Sequence, residues 1–100
     1  VVARTNEFLP PSRVYNWPNP VYGSTTRIRY YVAQDAAISV KIFDLAGTTI
    51  TELSGTAFAG LDGEITWDVS NIQSGVYFAR VEAVGRDRSD AAIIKIAVVK

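Results

Sequence analysis

The sequence predicts an all-β fold, an antiparallel sandwich of about seven short strands. Three observations carry this. Val and Ile together number 21 of the 100 residues against 4 Leu, with 8 Thr and 11 aromatic residues, and β-branched and aromatic side chains suit a pleated, half-buried surface. Several segments alternate apolar and polar residues at period two, while none keeps apolar residues at the helical period. Clusters of Gly, Pro, Asn and Asp cut the chain into pieces of about 8–12 residues.

Residues 1–13 read as a linker from a preceding domain, with Pro10, Pro11 and the polar run Arg4-Thr5-Asn6-Glu7; Phe8 and Leu9 are apolar groups able to dock on the domain that follows. That domain covers 14–100. Its first strand, 14–17, is stopped by Pro18-Asn19-Pro20. Two prolines cannot continue a hydrogen-bonded ladder, so this is an edge strand with a rigid exit. Gly23-Ser24 turns the chain. In 26–32, Ile28, Tyr30 and Val32 face inward and Arg27, Arg29 and Tyr31 outward. After the turn at Gln34-Asp35, Ile38, Val40 and Ile42 form the next inward set, with Ser39 and Lys41 outward. Asp44-Leu45-Ala46-Gly47 is a hairpin connection in which Gly47 takes a positive φ that a Cβ would oppose.

Residues 48–53 return with Ile50 inward, 54–62 form a loop marked by Gly55 and Gly60, and 64–68 form a short strand with Ile65 and Trp67 inward. A corner at 69–75 leads into the strand 76–84, whose Tyr77, Ala79, Val81 and Ala83 share a face, with Arg80 and Glu82 opposite. Residues 85–90 are a charged turn, and 92–99 the last strand, where Ile94, Ile96 and Val98 oppose Lys95. Short strands, regular turns and no helix give the pattern an immunoglobulin-like or fibronectin-III-like look.

Composition narrows the chemistry. The chain carries 10 Lys and Arg against 10 Asp and Glu, and no His, Cys or Met. Zero net charge gives no electrostatic reason to seek nucleic acid or anionic lipid. The missing residue types remove Cys and His nucleophiles, His general bases, thiolate or imidazole zinc sites and disulfides. No G-x-S-x-G elbow, phosphate-binding glycine loop or helix-opening glycine set occurs. Asp44, Asp62, Glu64 and Asp68 offer oxygen ligands, but their spacing is not that of an acidic calcium loop, and turn carboxylates ordinarily accept backbone N–H groups. No cofactor, metal or catalytic residue is therefore expected. No apolar run approaches the length of a membrane span and no signal-peptide pattern opens the chain. Because the first residue is Val1, the sequence reads as a fragment or a processed chain with an N-terminal neighbour.

The remaining candidates have structural and recognition readings. Tyr77, just after a glycine-bearing corner, is placed to bond the backbone a few residues upstream, as in the tyrosine corner of such sandwiches. Trp67 fills the core. Trp17, beside two prolines, either caps one end of the sandwich, the favoured reading, or forms a surface platform. Arg27 and Arg29, and Arg80 and Glu82, are candidates for cross-strand ion pairs. Lys95 on the final strand is either a charge that discourages strand addition or part of what a partner reads.

The segments WPNPVYGSTTRIRYYV, ISVKIFDLAG, ITWDVSNIQSGVYFARVEA and IIKIAVVK, in this order, resemble the C-terminal sorting domain of the type IX secretion system, type A form. That family is similar in turn to the immunoglobulin-like module of the flagellar hook-cap scaffold. The likeness runs over 14–100. Trp17 stands where the family has Tyr, followed by Pro18, Asn19 and Pro20; Ile42, Asp44, Leu45 and Gly47 match in IFDLAG, Ser74, Gly75, Tyr77 and Val81 in SGVYFARVEA, and the closing strand carries Lys95 and Lys100. The resemblance implies an extracellular protein of a Bacteroidetes-like bacterium that transits the periplasm. A larger cargo would lie N-terminal to the domain. The domain would be read by the outer-membrane translocon, then by a surface sortase that removes it or exchanges it for a lipopolysaccharide anchor. Two other readings stay open: a spacer module of a multi-domain secreted enzyme, or a carbohydrate-binding module stacking sugars on Trp17, Tyr22 or Tyr31.

Overall fold

In the computed structural model, which describes residues 8–100, the alternation seen in sequence becomes seven strands: β1 (Tyr15–Trp17), β2 (Thr25–Tyr31), β3 (Ala36–Asp44), β4 (Thr49–Ala57), β5 (Asp62–Asp68), β6 (Gly75–Val84) and β7 (Ser89–Val98). A 3-10 turn at Pro11–Arg13 precedes them. The strands make two antiparallel sheets, one ordered β1-β2-β5 and the other β4-β3-β6-β7. The polar run Arg4-Thr5-Asn6-Glu7 lies outside the described residues.

Period two sets the core. Ile28, Tyr30 and Val32, Ile38, Val40 and Ile42, and Tyr77, Ala79, Val81 and Ala83 are all buried, as are Trp67, Ile96 and Val98. Ile50, Ile65 and Ile94 pack partly buried against them. Each fully buried large side chain contributes roughly 1.5–3 kcal/mol, most of which chain entropy offsets. The inward faces are the ones expected from the sequence.

Two boundaries differ markedly. The expected loop at 54–62 is half strand: β4 runs on to Ala57, with Ala36 opposite Ala57 and Ile38 opposite Gly55. Gly55 is there for close packing, since a Cβ at that position would come within 3.1 Å of Ile65 Cδ1 and 3.3 Å of the Tyr30 hydroxyl. Gly60, at φ +77°, is the true turn glycine. The charged turn is likewise shorter than expected, because β7 begins at Ser89 and Asp90 pairs with Ala83.

Phe8 and Leu9 dock, and do so completely: they are 1% and 0% exposed. The Phe8 carbonyl accepts from Ala33 N–H at 2.9 Å, and Leu9 N–H donates to the Asp90 carboxylate at 3.3 Å. Gly85 leaves the space the Phe8 ring needs, for a Cβ there would stand 2.9 Å from Phe8 Cζ. The body measures 42 × 24 × 23 Å. One end of the strands gathers Phe8, the turn after β2, the β4–β5 connection and the β6–β7 turn. The other gathers the β1–β2 connection, the β3–β4 hairpin, the corner before β6 and the residues after β7.

Candidate functional site

The site candidates converge on that second end, and the segment after β1 builds most of it. Alternation on β1 leaves Tyr15 48% and Trp17 64% exposed and turns Asn16 inward at 6%. A buried amide must find partners, and Asn16 finds them: its Nδ2 donates to Thr26 Oγ1 at 3.1 Å and to the Pro18 carbonyl at 3.3 Å. The fully buried Thr26 donates its hydroxyl to that same carbonyl at 2.9 Å.

Asn19 carries the network outward. Its Nδ2 donates to Asn16 Oδ1 at 3.1 Å and to the Lys95 carbonyl at 3.0 Å, and its Oδ1 accepts from Ala97 N–H at 3.1 Å. The carboxamide thus pairs with the outer edge of β7 as a peptide unit of a neighbouring strand would. Val21 extends the pairing: its N–H donates to Ala97 O at 2.7 Å and its carbonyl accepts from Val99 N–H at 2.9 Å, forming a parallel bridge opposite Val98. Pro18 and Pro20 both follow cis peptide bonds; neither brings an N–H that would need a partner. The Pro-Asn-Pro segment is therefore a strap over a strand edge that would otherwise be open to pairing with another chain.

The β3–β4 hairpin belongs to the same end but to the other side of the sheet, with β6 and β7 between it and the strap. Gly47 N–H donates to the Asp44 carbonyl at 3.0 Å and Asp44 N–H to the Thr48 carbonyl at 3.0 Å. Gly47 sits at φ +86°, the three-residue hairpin with a glycine bulge. Asp44 Oδ1 accepts from both Ala46 N–H and Thr48 N–H at 2.9 Å, which leaves Leu45 at the tip, 73% exposed.

In the corner before β6, the Tyr77 hydroxyl donates to the Gln73 carbonyl at 2.7 Å. The Tyr77 ring meets Trp67 edge-on at 5.7 Å between centroids. Lys100 closes the corner: its Nζ donates to the Val69 carbonyl at 2.6 Å and its N–H to Ser74 Oγ at 2.7 Å. A Cβ on Gly75 would make only ordinary contacts with the Tyr77 ring, at 3.7 Å or more.

The carboxylates considered as oxygen ligands go to separate tasks. Asp62 pairs with Arg13 at 3.1 Å, and Glu64 lies 3.6 Å from both Arg27 and Arg29 across the β2–β5 ladder. Arg29 Nε is shielded from solvent yet beyond hydrogen-bond length of any acceptor, so that pair is held by charge alone. Asp68 accepts from Ser70 N–H at 2.9 Å; the Ser70 backbone and side-chain hydrogen bonds hold its pKa below the usual 3.8, with Lys100 adding to the effect. Among the described residues no three acids gather as a metal site would need. Arg80 and Glu82 pair at 3.6 Å along one strand, not across two.

The placements correct one expectation. Trp17 does not cap the sandwich; it stands in solvent. The reason is parity: Asn16 takes the inward slot, where its amide satisfies Thr26 and the strap, and its neighbours on both sides must face out. Trp17, Pro18, Asn19, Pro20, Asp44, Gly47, Gly75, Tyr77, Lys95 and Lys100 lie at or near the same end, while Trp67 lies beneath them in the core at 2% exposure. Asn16, Val21 and Thr26 complete the site and were missed, while Ser74 of the matched SGVYFARVEA segment is brought in by its bond from Lys100. For Asn16 a signal existed, since strict alternation allows two outward aromatics to flank an inward polar residue.

The chain is thus an antiparallel sandwich with a filled interior, latched at its last strand and carrying its motif segments toward one end. Over residues 15–95 the chain matches the secretion system C-terminal sorting domain, and it belongs to that family. Among solved structures it is similar to dimeric latent PorU from Porphyromonas gingivalis, at 26% sequence identity and a TM-score of 0.73; the match covers 86% of this chain and 9% of that one. No curated protein matches the chain. The domain is a sorting signal for type IX secretion, marking the protein that bears it for secretion or attachment at the cell surface. A signal domain of this kind is not itself catalytic. Among the described residues no helix is long and apolar enough to cross a membrane.

Proposed function

We propose that the sandwich is recognised in its folded form by the outer-membrane translocon. A surface sortase then removes it or exchanges it for a lipopolysaccharide anchor. In this reading the cargo precedes Val1 and residues 1–13 join it to the domain at 14–100, with Phe8 and Leu9 of the joining segment packed into the core. The motif residues around Trp17, Asn19, Asp44, Tyr77, Lys95 and Lys100 then form the end turned toward the machinery.

The observation that carries this reading is polarity. The chain comes into the sandwich at Phe8, at one end of the strands, and the motif segments collect toward the other. A cargo held at the first end leaves the second free to be gripped. The test is a fusion of the whole chain, Val1–Lys100, behind a reporter with a periplasmic signal peptide, in a host with the type IX system. Reporter at the cell surface or in the medium is the expected result; reporter retained in the periplasm sinks the reading.

A further inference from the structure

β3 and β6 pair with Asp44 opposite Tyr77, so two motif segments distant in sequence become neighbours. Between them is an open notch of about 310 Å³, walled by Leu45 and Ala46 on one side and by Ser74, Gly75 and Val76 on the other. Its one acid, Asp44, is turned onto the amides of its own hairpin, which leaves mainly apolar walls. Val76 carries the notch onto the outer face of the four-stranded sheet. That face is not the polar surface usual on a solvated sheet: the rings of Phe43 and Phe78 stack there with centroids 5.9 Å apart, both half-buried.

Charge on this face is uneven. Lys41 has Glu52 opposite on β4, and Arg80 has Glu82 at 3.6 Å. Lys95 is beside Phe78 across the β6–β7 ladder, and among the described residues no carboxylate pairs with it. A notch at the lower limit of ligand-pocket volumes, about 300 Å³, suits one or two side chains better than a small molecule. An apolar anchor in a pocket with a charge at its rim is also the composition of an energetic protein contact.

We propose that the notch and the adjoining phenylalanine pair dock an extended protein segment that places an apolar side chain against Leu45 and a carboxylate on Lys95. The partner's being a component of the secretion machinery rests on the sorting reading above. The test uses the same full-length fusion with Leu45→Asp, Lys95→Glu and, at the opposite end, Phe58→Asp. Leu45 and Phe58 are 73% and 59% exposed, so these substitutions test contact without removing core. Exported reporter should fall about tenfold for Leu45→Asp, the loss of one strong contact, and several-fold for Lys95→Glu, with Lys95→Arg restoring it and Phe58→Asp without effect. The unfolding midpoint of each variant chain should match the parent; if Leu45→Asp perturbs it, Leu45→Ser gives the same reading without added charge. Normal export of the Leu45 and Lys95 variants overturns the docking surface and leaves the sorting reading standing. A parent fusion that stays in the periplasm overturns both.

Discussion

Asn19 does with one carboxamide what a neighbouring strand does with its backbone, and that makes it the most consequential polar residue on the surface. Replacing it with Ala removes three hydrogen bonds. At about 0.5–1.5 kcal/mol each, discounted for partial exposure, the expected loss is about 1–3 kcal/mol in denaturant unfolding. Asn19→Asp keeps an acceptor for Ala97 but sets a carboxylate against the Lys95 carbonyl, so it should be no better than Ala; parental stability in both variants would remove the strap from the account. Tyr77→Phe isolates another single bond, to Gln73, and should cost about 1 kcal/mol.

Tyr30 supplies a pH signature. Burial, and secondarily the charge of Glu64, raises its pKa above 10.0. A raised folded value favours the protonated hydroxyl, so its contribution is complete below pH 10 and is lost as pH climbs from there through the folded value. Unfolding followed between pH 9 and pH 11 should show a decline that Tyr30→Phe flattens. Asp68 acts in the opposite sense: its lowered pKa means that stability is lost as pH falls below about 3.8.

At the scale of the element, glycines separate packing from turning. Gly63 on β5 is opposite Tyr30, and a Cβ there would lie 2.5 Å from the ring. Gly63→Ala should therefore cost about 1–3 kcal/mol through overpacking. Gly23, with nothing within 4 Å of a Cβ, should accept Ala within about 0.5 kcal/mol. A calorimetric ranking that reverses the two would undercut the packing argument.

The same contrast explains what could be read in advance. Inward faces and the Asp44–Gly47 hairpin are local facts, written in period two and in one glycine. Gly55 looked like a loop signal because what it makes room for, Tyr30 and Ile65, is distant along the chain. Trp17 looked like a cap because its apolar surface outweighed its parity. The strap's function was hidden for a third reason: the Lys95–Ala97 edge that Asn19 pairs with is known only once the sheet order is known.

For the molecule as a whole, the folded unit is longer than its family match. Phe8 and Leu9 precede the matched residues 15–95 yet belong to the core. A chain starting at Val14 loses two buried large side chains, a cost of roughly 3–6 kcal/mol by area, which rivals the whole stability of a domain this size. Such a truncated domain should melt far below Val1–Lys100 and fail as an export tag. Equal melting of the two would show that the upstream pair is dispensable.

The contacts between Asn19 and Ala97 and between Val21 and Val98 join the beginning of the sandwich to its last strand. Both contacts are long-range, so they form only when the two sheets are already correctly stacked. A chain whose β7 is damaged or mispaired leaves Asn19 with nothing to clasp. A receptor that engages only the closed form would then tell an intact sandwich from a faulty one without inspecting the cargo at all.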